Sequence, residues 1–118
     1  MGNKLYKRVH CHDGYSVSIQ AGKYKYSYPR DDHGPYIEVE LGFPSSADPL
    51  LDGYAENYNA ETFNDPTDTV YPYVPVGVVR DLIIKHGGAT SGEVPPGVLM
   101  FMAEGMEYYY NNKRRTEE

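Results

Sequence analysis

Apolar and polar residues alternate most clearly in YSVSI, from Tyr15 to Ile19, with the period of a half-buried strand that turns Tyr15, Val17 and Ile19 inward. Past Ala21 and Gly22 the phase changes. KYKYSYP, residues 23–29, places Tyr24, Tyr26 and Tyr28 at even positions, which an unbroken strand puts on the face opposite Ile19. A one-residue bulge at Gly22 would instead return the three rings to the core face. A strand is thus predicted over about 14–28, with the side taken by its tyrosines left open. The turn-rich PRDDHGP ends it, and YIEVELGF supplies a second strand over 36–43. There Ile37, Val39 and Leu41 form an apolar face and Glu38 and Glu40 an acidic one, and a hairpin pairing with the first strand is the natural arrangement.

Residues 44–68 hold no sustained period and read as a long acidic loop, with a short helical turn over 49–57. TVYPYV, residues 69–74, predicts a third strand, and Pro72 assigns it to an edge or an interrupted ladder. PVGVVRDLIIKHGG predicts a helix over 75–86. Pro75 suits its first turn, Val78, Val79, Leu82 and Ile83 form its stripe, and Gly87 is placed as a left-handed cap. Residues 97–112 fit either a helix or a hairpin about Glu104 and Gly105, and their composition favours the helix. Residues 1–13 read as an arm or a first strand, and 113–118 as a solvated tail. The sum is one domain over 1–118 of α+β class: a small, mainly antiparallel sheet of about three strands or more, packed by one or two helices.

Composition changes this picture in one respect. Thirteen tyrosines stand beside three phenylalanines and no tryptophan. Tyrosine offers flat apolar area with a polar tip, which suits half-buried strands and binding surfaces alike. The net charge of −6 is unevenly spread: residues 1–30 carry six Lys or Arg against one Asp, whereas 31–79 carry six Asp and four Glu with no Lys or Arg. A dense acidic surface repels nucleic acid and attracts proteins whose own task is to hold it. The single cysteine leaves no internal disulfide framework, and the chain has neither a secretory signal pattern nor an apolar run of membrane-spanning length. The expectation is a cytoplasmic protein that does not enter a membrane.

Candidate chemistry is sparse. His10, Cys11, His12 and Asp13 are the cluster with metal-ligand residue types, but no second ligand pair follows at a recognised spacing, so neither a metal nor another cofactor is predicted. On a strand Cys11 faces away from both neighbouring histidines, which leaves it without a base, and no catalytic residue is assigned. Tyr24, Tyr26 and Tyr28 with Arg30 have the chemistry of a stacking platform for a nucleotide or short oligonucleotide, although a flat strand would put Lys23 and Lys25 on the other face. The apolar run 98–102 followed by three tyrosines at 108–110 also suits a homodimer.

SVSIQA, GPYIEVELGFP, TVYPYVPVGVV and IKHGG resemble the idiom of small phage or prophage-encoded proteins, a general likeness over the central two thirds of the chain. What the resemblance implies is an inhibitor of bacterial defence of the anti-CRISPR kind, working by occupying a nucleic-acid site or blocking a conformational step in a host protein. It supplies no catalytic residue. Joined to the charge pattern, it gives an expected contact set of Asp31, Asp32, Glu38, Glu40, Asp48, Asp52, Glu56, Glu61, Asp65 and Asp68, with Tyr54 and Tyr58 as anchors. The alternative is a nucleotide-binding module that uses the Tyr24, Tyr26 and Tyr28 face.

Overall fold

Five short strands build the sheet that the alternation called for. A computed structural model describes residues 4–56 and 65–103. Its strands are β1 (Val9–Cys11), β2 (Ser16–Gln20), β3 (Glu38–Gly42), β4 (Val70–Pro75) and β5 (Ala89–Ser91), in the spatial order β4-β3-β2-β1-β5 with every neighbouring pair antiparallel. The helix α1 (Val76–Lys85) carries the chain from β4 at one edge to β5 at the other. Val79, Leu82 and Ile83 of its stripe join Val17, Ile19, Val39 and Leu41 of the sheet in one buried cluster. Full burial of each such aliphatic side chain contributes about 1.5–3 kcal/mol, which makes this the main source of stability. The fold is therefore α+β. β1 and β5, three residues each, are too short to show a period of their own.

The helix ends as its glycines foretold. Gly87 takes a φ of 90°, its N–H donates to the Ile84 carbonyl at 3.0 Å, and the Gly88 N–H donates to Ile83 at 2.9 Å. These two bonds form a Schellman cap. Pro49–Tyr54 forms a 3₁₀ helix whose Leu51 plugs the core. Ile37 departs from expectation: it precedes the first residue of β3 and is 58% exposed, while Val39 and Leu41 are fully buried.

The C-terminal expectation is corrected over the part described. Residues 97–103 are not helical. The Ala89 N–H donates to the Phe101 carbonyl at 2.7 Å and the Ala103 N–H to the Ala89 carbonyl at 2.8 Å, so the segment meets β5 in a parallel bridge and satisfies its outer edge at Ala89. The rest of the expected element, 104–112, lies outside the described residues, as do Tyr58 and Glu61.

Gly22 resolves neither as a one-residue bulge nor as an unbroken strand. β2 ends at Gln20, which faces Glu40, so residue 22 of a continuous strand would face Glu38; Tyr28 stands there instead, exchanging backbone hydrogen bonds of 2.9 and 3.2 Å with Glu38. Residues 22–27 are thus an excursion from the sheet. Ser27 closes it, its hydroxyl accepting from the Gly22 N–H and donating to the Gly22 carbonyl, while the Lys25 N–H also bonds that carbonyl. With φ at 153° and Asp32 Oδ1 3.2 Å from where a Cβ would sit, Gly22 starts a departure few other residues could make.

Candidate interaction surface

The excursion returns Tyr28 on the side of the sheet that carries Ser18, Gln20, Glu38 and Glu40, away from the helix. Tyr28 is 58% exposed and Tyr24, within the excursion, 68%. Tyr26 is half-buried and held at both ends of its peptide unit: its N–H donates to Glu40 Oε1 at 3.0 Å and its carbonyl accepts from the Tyr73 N–H at 3.1 Å. Its ring lies 5.9 Å from that of Tyr73, tilted by 53°, and the Arg30 guanidinium sits 5.6 Å from the ring centre. Lys23 reaches to 5.7 Å from the Tyr24 ring, so the opposition of Lys23 to the tyrosines that a flat strand would impose does not hold here. Off the strand, alternation no longer governs.

Tyr73 arrives there through an irregularity of β4. Val39 pairs with Val74 and Leu41 with Tyr71, so Pro72 and Tyr73 together oppose Glu40. Two residues against one make a bulge. Tyr73 takes a φ of 54°, unusual for a residue with a Cβ, and is exposed. A left-handed aromatic on a surface is the kind of backbone outlier that points toward function.

The expected acidic contact set is divided by the fold. Glu38 and Glu40 share the outer face with Tyr28. Asp31 and Asp32 lie in the neighbouring loop, where Asp31 Oδ1 accepts from the N–H groups of His33 and Gly34, bonds that hold its carboxyl below the usual range, and Asp32 accepts from the Lys23 N–H. Asp52, Tyr54 and Glu56 belong to the 3₁₀ helix and its exit, beside the start of β4, where the Glu56 N–H donates to the Val70 carbonyl. Asp65 and Asp68 lie in the turn before β4, and Asp65 accepts from the N–H and hydroxyl of Thr67. Tyr54 packs against the core. There are thus an outer-face group and a β4-edge group.

Asp48 is a correction, because its side chain is only 2% exposed and is wholly engaged inside the protein. Oδ1 accepts from the Leu50 N–H at 2.9 Å and from Lys85 Nζ at 3.0 Å; Oδ2 meets His86 Nε2 at 2.7 Å. The other imidazole nitrogen, Nδ1, meets Asp13 Oδ2 at 2.7 Å, and the ring stacks on Tyr15 with centroids 3.8 Å apart. This cluster ties the β1–β2 turn, the 44–48 segment and the end of α1 together. From the sequence His86 is only the last residue of the predicted helix, since partners 73 and 38 positions away leave no local signal. Carboxylates only accept, so both contacts are hydrogen bonds when each ring nitrogen carries a proton. With both ring nitrogens engaged by carboxylates from two other segments, the arrangement serves as a structural tie.

Burial, assisted by Asp13, pushes the Cys11 thiol up to about 11, which suppresses the thiolate a nucleophile needs. β1 stops at Cys11 and His12 lies in the following turn, so His10 and His12 do not share a strand face. Among the described residues no group of three or more His, Cys, Asp or Glu side chains is gathered for a metal ion, and no helix is long and apolar enough to cross a membrane. No protein-family model, curated protein or solved structure matches the chain.

Proposed function

We propose that the chain is an interaction protein that docks the tyrosine-bearing outer face of its sheet onto a basic, nucleic-acid-holding surface of another protein. The target class, a host defence protein inhibited by a phage-type protein, follows from the sequence likeness and the acidic middle of the chain. What carries the reading is the outer face itself: exposed Tyr28 pairs with Glu38, Tyr26 is held by Glu40 and neighbours Tyr73 and Arg30, and Tyr24 stands exposed in the same excursion. Tyrosines are frequent hot spots of protein interfaces, and carboxylates beside them select a cationic partner.

The test is capture from bacterial lysate, with an excess of nucleic acid as competitor. Retention of a partner that nucleic acid displaces is expected for the wild type. A variant combining Tyr24→Ser, Tyr28→Ser and Glu38→Lys should reduce that retention more than about tenfold with its melting temperature unchanged, since buried interface tyrosines contribute roughly 2 kcal/mol each. A second variant, Asp52→Lys with Glu56→Lys and Asp68→Lys, alters the β4-edge group and should weaken retention less. Undiminished retention by a folded outer-face variant would contradict the proposal.

A nucleotide ligand is the second reading, favoured by the two exposed rings and by Lys23 over Tyr24. Glu38 and Glu40 on the same face oppose phosphate. A panel of nucleotides and cyclic oligonucleotides that leaves the melting temperature unmoved would dismiss it.

A further inference from the structure

We propose that the Tyr26 ring, with the Tyr73 ring beside it, is a receptor for a guanidinium group of the basic partner, and that Arg30 fills it in the free protein. The inference rests on the outer-face reading above and adds what that face recognises. Three observations meet at one point. The Tyr26 backbone is fixed by Glu40 below and Tyr73 beside it, so its ring is a prepared surface. That ring already accepts a guanidinium, with Arg30 Cζ 5.6 Å from its centre. Among the described residues Arg30 has no carboxylate within ion-pair distance, and its side chain is exposed.

A planar cation over an aromatic face is an arrangement that favours arginine over lysine. An internal arginine held by the ring alone is displaced easily, and its removal should strengthen binding of an external one. Exposed cation–π contacts correspond to about a two- to fivefold change in affinity. Arg30 therefore behaves as a weak internal competitor. It sets a threshold that a partner presenting several arginines passes and a single stray cation does not.

The probe is a fluorescently labelled octa-arginine peptide, titrated by anisotropy at fixed low salt against wild type, Arg30→Ala and Lys7→Ala. Lys7 is exposed on the N-terminal segment, and its loss changes the net charge by the same amount. Arg30→Ala should bind about two- to fivefold more tightly than Lys7→Ala, and adding Tyr26→Leu should remove the gain. Equal affinities for Arg30→Ala and Lys7→Ala, with the wild type still binding, would overturn the receptor and leave the basic-partner reading standing. Absence of binding by every folded variant would overturn both.

Discussion

Replacing Asp48 by alanine should destabilise the protein by about 3–5 kcal/mol, the cost typical of removing one partner from a buried charged cluster. Three interactions are lost at once. The 3₁₀ helix loses the side chain that caps it at Leu50, Lys85 loses its carboxylate, and His86 Nε2 is left facing a void in a ring that is almost enclosed. The neighbours grade the effect. Asp13→Ala should cost about 1–2 kcal/mol, because its half-exposed carboxylate can be replaced by water. Lys85→Ala should cost under about 1 kcal/mol, its ammonium being nearly half in solvent.

The same cluster fixes the response to acid. Hydrogen bonds from the Tyr15 N–H and from His86 hold the Asp13 carboxyl below the usual range. For Asp48, burial pushes the carboxyl up, but the bonds from Leu50, His86 and Lys85 outweigh it and the net direction is down. A carboxyl with a lowered value in the folded state binds fewer protons there than when unfolded, so its contribution is present above the ordinary carboxylate value of about 4 and is lost as pH falls through the lowered one. Stability below about pH 4 should therefore fall more steeply for the wild type than for Asp48→Asn, measured by denaturant midpoints at a series of pH values. Parallel profiles would show that folding leaves the proton affinity of the Asp48 carboxyl unchanged, against the lowered direction.

Gly97→Ala should be comparably severe, at about 3 kcal/mol, or a drop of roughly 10–20 °C in melting temperature for a domain of this size. Gly97 holds a φ of 102°, and a Cβ there would run into the Tyr36 carbonyl oxygen and sit 2.8 Å from the Tyr36 nitrogen. Tyr36 cannot give way readily. Its side chain is buried, its N–H donates to the Pro96 carbonyl and its hydroxyl bonds the Asp31 carbonyl. The segment that Gly97 anchors lies against the residue that leads into β3 and the outer face. Gly53→Ala is the control: a Cβ at that position meets nothing within 4 Å, and the change should stay within about 0.5 kcal/mol.

These residues mark where sequence stops being informative. The strands around Val17, Val39 and Leu41 and the helix around Leu82 were legible because burial on one face imposes a period on the chain. The α+β class followed from them. Gly22 announced a break, yet the length of the excursion depends on the Tyr28–Glu38 pairing and on Ser27 reaching back, neither of which leaves a periodic trace. Ile37 kept the apolar pattern but lies just before β3 with its side chain exposed. Asp48 looked like any other acid in a polar loop. Its burial is decided by Lys85 and His86, which arrive from the far end of the helix, and a count of charges along the chain cannot find it. Tyr73 was visible only as one more strand tyrosine, whereas the bulge that projects it arises from how β4 registers on β3.

The central claim, that recognition belongs to the outer face while the His86 cluster holds the fold, is tested most directly by amide hydrogen exchange of the protein, free and bound to the partner isolated by nucleic-acid-displaceable capture. Added protection is expected at residues 23–30, 37–40 and 72–74, with the amides of α1 and of residues 12–15 unchanged. Protection concentrated on α1 and the Asp13–His86–Asp48 cluster, with the tyrosine face unaffected, would contradict it.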